Sequence, residues 1–215
     1  MSQLKSILEP TTATVIEKKS KFIAELFHVS SKEEAEKQIQ EVKKKYYDAR
    51  HHCFAYIIHK NAGTLEKASD DGEPSGTAGA PMLNLLKKYE LQNILVIVTR
   101  YFGGTLLGTG GLVRAYSDAT AKALETATFM VEVLGVEMNL TIPYSEFDYF
   151  QYYCHKNDIT ILKIEYGDYI FCTIEASFQE KEKILHEMNK SALKIKKIEV
   201  GKEKYIQKKI EKYTL

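Results

Sequence analysis

The sequence predicts an α+β protein of two domains, the second with the β-α-β-β-α-β order of a ferredoxin-like fold. Three observations lead there. Apolar residues recur with a period of two in some segments and near 3.6 in others, and the two kinds alternate along the chain. From Val131 onward the segments read strand, helix, strand, strand, helix, strand, the split βαβ arrangement. The chain has 215 residues, 44% of them hydrophobic, which suffices for one large or two small cores.

Thr12 to Glu17 and Phe22 to Val29 alternate as strands, with Lys18-Lys19-Ser20-Lys21 as a polar turn between them. Ser30-Ser31-Lys32-Glu33-Glu34 marks a helix start, because serine hydroxyls accept from the free N–H groups and acidic side chains suit the first turn. Ala35, Ile39, Val42 and Tyr46 then build one apolar helical face. Cys53 to Ile58 reads as a short apolar strand. Asn61 to Gly76 is polar, apart from a short strand near Leu65.

Ala78 to Tyr89 predicts a second helix, with Pro81 tolerable in its first turn. Ile94 to Val98 is an unbroken apolar run, the mark of a strand buried on both faces. Glycines interrupt regular structure on either side of it. Leu112 to Thr126 predicts a third helix, with Ala115, Ala119 and Ala123 as a close-packing face. Val131 to Ile142 is a strand ended by Pro143, and Tyr144 to His155 a helix. Ile159 to Tyr166 and Tyr169 to Ala176 form a hairpin around Gly167-Asp168. Gln179 to Asn189 is helical and Leu193 to Tyr205 a strand. The boundary is expected between Thr126 and Glu132, giving domains 1–130 and 131–215.

Charge and cysteine usage narrow the class. Lys and Arg number 30 against 29 Asp and Glu, so whole-chain electrostatics point to no partner. Lys190 to Leu215 is the exception, with nine Lys against three Glu. Such a surplus can meet an RNA phosphate backbone by replacing its counterions, or can blunt an exposed strand edge. Cys53, Cys154 and Cys172 are widely spaced and odd in number, which suggests neither a disulfide framework nor a zinc site. No signal-peptide pattern opens the chain and no apolar run is long enough to cross a bilayer. A soluble cytoplasmic protein with no membrane partner is expected, and no DNA-binding motif stands out.

Three constellations are candidates for chemistry. In Asp70-Asp71-Gly72-Glu73-Pro74-Ser75-Gly76-Thr77-Ala78-Gly79, three carboxylates crowd within four residues and call for a cation or a basic partner. Asp70, Asp71 and Glu73 are candidate Mg²⁺ ligands or a clamp for a partner's Arg. Alternatively, they form a surface turn whose Asp side chains cap backbone groups. The run is not an EF-hand, because later ligand positions are missing.

Arg100-Tyr101-Phe102-Gly103-Gly104 continues to Gly108, Gly110 and Gly111, after a strand and before a helix, where N–H groups can receive a phosphate-type anion. Arg100 and Arg114 would supply charge. The run fails the P-loop pattern, having Thr109-Gly110 where Lys and Ser/Thr are required, and it contains no GxGxxG. Glycines that merely let backbones pack closely are the alternative. The third constellation is His51-His52, whose side chains point to opposite faces of a strand, so that at most one, taken as His52, is expected to join the acidic turn.

Read together, His51-His52-Cys53-Phe54-Ala55-Tyr56, Ser69 through Ala80, Ile94 through Gly104, and Leu107-Gly108 with Gly110 through Tyr116 resemble the IMPACT/YigZ family. Phe54 stands where family members often carry Trp. The resemblance implies an N-terminal ribosomal-protein-like βαβ domain, similar to domain IV of elongation factor G. It also implies a C-terminal ferredoxin-like domain similar to domain V of that factor. Eukaryotic relatives carry an additional RWD domain and restrain the amino-acid-starvation kinase by competing for its activator. This chain looks like the short bacterial form, for which the family supplies no settled activity.

The expected function is a translation-associated regulatory protein that binds RNA, ribosomes or a translation factor. The alternative is an enzyme acting on a phosphorylated or nucleotide substrate through the Gly-rich loop and acidic turn. The surface common to both readings comprises His52, Asp70, Asp71, Glu73, Ser75, Thr77, Arg100, Tyr101, Gly103, Gly104, Gly108, Gly110, Gly111 and Arg114.

Overall fold

A computed structural model describes residues 4–60, 63–190 and 193–210. Asn61 and the final residues of the Lys-rich segment, from Glu211 on, lie outside the described residues. The chain divides into two compact units. The first runs to Val131 and takes the chain back from Lys209; the second is Glu132–Lys208.

In the first unit, β2 (Thr11–Glu17), β3 (Ser20–His28), β6 (Ile94–Tyr101), β4 (His51–Lys60) and β5 (Gly63–Ser69) form a sheet in the order β2-β3-β6-β4-β5, every pairing antiparallel. Because β3 and β4 both run against β6, they are parallel to each other, with α1 (Lys32–Lys45) as their crossover. By the same logic β5 and β6 are parallel across β4, joined through α2 (Gly79–Lys88). Each is a strand–helix–strand unit split by one intervening strand.

The sheet is covered on both faces. Ile94, Val96 and Val98 of β6 pack with Met82 and Leu86 of α2 and with Leu112, Ala115, Ala119 and Ala123 of α3 (Gly108–Thr126). Leu95 and Ile97 point the other way, onto Ala35, Ile39 and Val42 of α1. Burial of both sets explains the unbroken apolar run in β6, and the three alanines let α3 sit close to the sheet.

Four features differ from the sequence expectation. A short β1 (Leu4–Ile7) opens the unit, with the Leu8 N–H donating to the Thr128 carbonyl and the Gln92 N–H to the Lys5 carbonyl, both at 2.8 Å. β5 spans seven residues, because an exposed edge strand needs no apolar alternation. The β2–β3 connection is tighter than four residues: Lys18 and Lys19 take φ of 44° and 67°, the turn whose twist matches paired strands. Lastly, α3 starts at Gly108 rather than Leu112, so Gly108, Gly110 and Gly111 form a first helical turn instead of loop.

In the second unit, β7 (Phe129–Ile142) pairs with β9 (Ile170–Ser177) and β10 (Lys197–Lys209), and β9 with β8 (Thr160–Tyr166). The order β10-β7-β9-β8 is that of a ferredoxin-like sheet. Phe147, Phe150 and Cys154 of α4 (Tyr144–Lys156) and Ile184 of α5 (Phe178–Asn189) cover one face, against Met138, Leu140, Cys172 and Ile174. α5 opens with a reciprocal capping box between Ser177 and Glu180. β10 starts at Lys197, although Leu193 and Ile195 ahead of it are already buried in the core.

Candidate functional site

The motif residues gather at one end of the first unit's sheet, where β4 begins and β6 runs out. There the acidic turn lies against β4 and the start of α2. Asp70 Oδ1 accepts from the N–H groups of Ala78 (2.9 Å) and Gly79 (2.8 Å), and Oδ2 from Gly76 (2.8 Å). It therefore caps α2, whose own N-cap, Ala78, has no side chain to do so. Burial pushes the Asp70 carboxyl up, but the bonds from Gly76, Gly79 and Ala78 outweigh it and hold the group below its ordinary value. Gly79 is obligatory here, because a Cβ would lie 2.7 Å from the Ser69 nitrogen.

Asp71 takes φ of 41° and turns its carboxylate back onto β4 and α1. Oδ1 accepts from Lys43 Nζ at 2.9 Å and Oδ2 from the His52 N–H at 2.7 Å. Burial raises this carboxyl, and Lys43 with the His52 N–H lowers it further than burial lifts it. Both histidines touch Asp71, contrary to expectation. His51 Nδ1 donates to its carbonyl at 2.9 Å, while His52 reaches it through the backbone and sends Nε2 to the Tyr46 carbonyl at 3.0 Å. The two rings do leave the strand on opposite sides, but Asp71 sits at the strand's mouth and is reached from both.

Glu73 is the most deeply committed of the three. Its Oε1 accepts from Arg100 Nη1 (2.7 Å) and from the Tyr116 hydroxyl (2.8 Å), and the ion pair is buried, with side chains 7% and 4% exposed. Arg100 lies on the same face of β6 as Val96 and Val98 and is stacked between Phe22 and Phe102, 5.4 and 5.7 Å from the ring centres. Its Nε is buried without a partner among the described residues. The Cys53 thiol lies 2.9 Å from the Asp70 carbonyl and 3.3 Å from the Tyr116 hydroxyl; burial pushes it up to about 12, so it stays protonated. Burial likewise pushes the Tyr116 hydroxyl up, which keeps it a donor to Glu73.

Arg100 and Tyr101 part company. Tyr101 faces α1 and donates to Asp48 Oδ1 at 2.7 Å, a bond that, with burial, pushes its hydroxyl up to about 12. Gly103 closes the joint: a Cβ there would fall 2.0 Å from the Lys19 carbonyl carbon, and its N–H donates to Ser20 Oγ at 3.1 Å. Thr77 is buried, its hydroxyl donating to the Pro74 carbonyl at 2.7 Å, while Ser75 is exposed.

Beyond Gly103 the chain opens outward. Gly104, Gly108 and Gly110 are exposed, and α3 has no side chain capping its N-terminus and no acidic residue in its first turn. Phe102 is 53% exposed, Leu106 84% and Val113 37%, and Arg114 stands exposed without a side-chain partner among the described residues. The structure thus gathers Asp70, Asp71, Glu73, His52, Arg100 and Gly103 in one joint, and leaves Arg114, Gly108, Gly110 and Ser75 outside it. Among the described residues no group of three His, Cys, Asp or Glu side chains is placed to hold a metal ion. Ser20, Lys43, Cys53 and Tyr116 belong to the joint but are not among the site residues expected from sequence. Nothing in the spacing links them to Asp71 or Glu73.

Several lysines of the Lys-rich segment are engaged within the fold. Lys194 pairs with Glu146, Lys204 with Glu137 and Glu175, and Lys208 with Glu180, while Lys196 lies over the Tyr169 ring. No described helix is long and apolar enough to cross a membrane.

Fold and joint together define a class of two-unit α+β proteins, and comparison with known proteins identifies it. Residues 18–124 match the Impact N-terminal domain. An IMPACT family member of Haemophilus influenzae is 38% identical over 205 residues, covering 90% of this chain and 98% of the relative. The IMPACT family member YvyE of Bacillus subtilis is 38% identical over 168 residues, 78% of this chain and 76% of YvyE. A crystal structure of a hypothetical protein superimposes over 93% of this chain and 97% of its own, at 29% identity and a TM-score of 0.61. The chain belongs to the IMPACT family.

Proposed function

We propose that the protein is a translation-associated regulator that acts by binding the ribosome, through the open rim of the Gly-rich loop, rather than by turning over a small molecule. Family membership supports the link to translation, through the role in that process that the resemblance implies for the eukaryotic relatives. One observation carries the choice of binding over catalysis: the motif's charged groups are divided between an occupied interior and a vacant rim. Asp70, Asp71 and Glu73 already accept from three backbone N–H groups, Lys43 and the His52 N–H, and Arg100 and Tyr116. A Mg²⁺ ion would compete with these donors.

The rim offers what an anchor needs. Phe102, Leu106 and Val113 present apolar surface, and Arg114 adds a charge with no side-chain partner among the described residues. The first turn of α3 adds uncapped N–H groups that favour a phosphate or carboxylate. Cosedimentation with ribosomes tests the reading. Binding is expected at low ionic strength, weakening as salt rises. The pair Leu106→Asp and Arg114→Glu is expected to weaken it by about tenfold, on the order of one anchor residue's contribution, with thermal unfolding unchanged. Absence of pelleting at low salt, or equal pelleting by the pair, overturns the reading.

A further inference from the structure

The helical side of the second unit carries a surface that the family motif does not include. α4 and α5 flank a cavity of about 210 Å³ lined by Tyr149, Tyr152, Tyr153, Lys156, Lys183 and Glu187. Tyr153 is 9% exposed, and its hydroxyl is buried there with no hydrogen-bond partner among the described residues. Native structures seldom leave such a group unpaired, which makes it a candidate donor to a bound molecule. Burial first, and then Glu187, pushes the Tyr153 hydroxyl up, so what it offers is a proton.

The rest of the lining narrows the acceptor. Tyr149 and Tyr152 lie three residues apart on α4, hence on one side of it, and are 50% and 58% exposed. Lys156 has no carboxylate partner among the described residues. Lys183 donates to the neutral Asn157 Oδ1 at 2.5 Å, which leaves its charge uncompensated. Glu187 is the single carboxylate of the lining. Two open rings, two cations and a buried donor combine the elements that bind single-stranded nucleic acid: faces for bases, charge for the backbone, and a bond for a phosphate oxygen. An acidic peptide would use the lysines but not the rings.

The opposite face of the same sheet also exposes a ring, Phe171, but differs in charge. There Lys204 bridges Glu137 and Glu175, and Lys163 and Lys197 are paired with Glu165 and Glu199, so each of these three cations has a carboxylate beside it. Phosphates would be repelled as often as attracted.

We propose that the α4–α5 groove holds a short single-stranded RNA segment, with bases stacked on Tyr149 and Tyr152, phosphates beside Lys156 and Lys183, and one phosphate oxygen accepting from the Tyr153 hydroxyl. The inference rests on the ribosome-binding reading and names a second, RNA-contacting surface for it. The test is fluorescence anisotropy of the full chain with a labelled 12-nucleotide uridine RNA at low salt, alongside a glutamate-rich peptide of equal charge.

Wild type is expected to bind the RNA. Tyr149→Ala with Tyr152→Ala, and separately Lys156→Glu, are expected to weaken it by about tenfold each. Tyr153→Phe, which keeps the ring and removes only the unpaired hydroxyl, is expected to weaken it by about fivefold without lowering thermal stability. Absence of RNA binding, variants that bind like wild type, or tighter binding of the peptide overturns the proposal. Failure here with ribosome pelleting still sensitive to Leu106→Asp and Arg114→Glu would sink the groove alone; loss of both would sink the underlying reading too.

Discussion

The acidic turn and the Gly-rich loop are equally conspicuous in the sequence and stand side by side, yet their chemistry is opposite. In the turn, all three carboxylates are consumed within the fold, and the Glu73–Arg100 pair is almost wholly hidden from water. In the loop, after Gly103, almost nothing is consumed: Gly104, Gly108 and Gly110 are exposed, the helix start has no side-chain cap, and Arg114 has no side-chain partner among the described residues. A dense motif can thus hold a joint and a surface in adjacent residues. Only partner geometry separates them, because a carboxylate committed to an internal cation is not available to a ligand.

Breaking the buried pair is expected to have the largest effect. Arg100→Leu leaves Glu73 buried with Tyr116 as its remaining donor, and a loss of about 3–5 kcal/mol in urea unfolding is expected. Adding Glu73→Leu removes the stranded charge and is expected to restore most of that stability. A double variant no more stable than Arg100→Leu alone would mean that the pair contributes more than mutual neutralisation.

The glycines sharpen the contrast next. Gly103→Ala forces a methyl into the Lys18-Lys19 turn, and a loss of about 1–3 kcal/mol or more is expected by thermal or chemical unfolding. Gly110→Ala meets nothing within 4 Å and lies inside α3, so it is expected to be neutral or to stabilise by up to ~1 kcal/mol. Equal losses at the two positions would erase the distinction between joint and rim.

The smallest of the expected losses concerns the cap. Asp70→Ala leaves three N–H groups without their acceptor, and about 1–2 kcal/mol is expected to be lost. Because the Asp70 and Asp71 carboxyls titrate below their ordinary value of 3.8 in the fold, the stability they add is fully present above that pH. It is lost as pH falls through their lower native values. The Asp70→Ala variant should therefore differ from wild type at pH 6 and converge on it in acid, as read by urea unfolding across pH.

Much of the fold was legible because burial writes a period into the chain. The face of α1 follows from Ala35, Ile39 and Val42, and the double burial of β6 from Ile94 to Val98. β1 and β5 were less legible for physical reasons: one has four residues, and the other is an edge strand with no apolar alternation. The glycines hid the start of α3, since helix propensity argues against a helix beginning with three of them. At the site, the motif marked where to look but not what the residues do. Lys43, Arg100 and Tyr116 meet the turn from 27 to 43 positions away, and only the register of β3, β4 and β6 with the packing of α1 and α3 on that sheet brings them there.

Hydrogen–deuterium exchange of the full chain, with and without ribosomes, compares the two regions in one measurement. The amides of residues 102–114 are expected to gain protection on binding. Those of Gly76, Ala78 and Gly79, already held by Asp70, are expected to stay as slow as in the free protein. New protection confined to residues 70–79, or none over 102–114, would contradict the assignment of the turn as joint and the loop as contact surface.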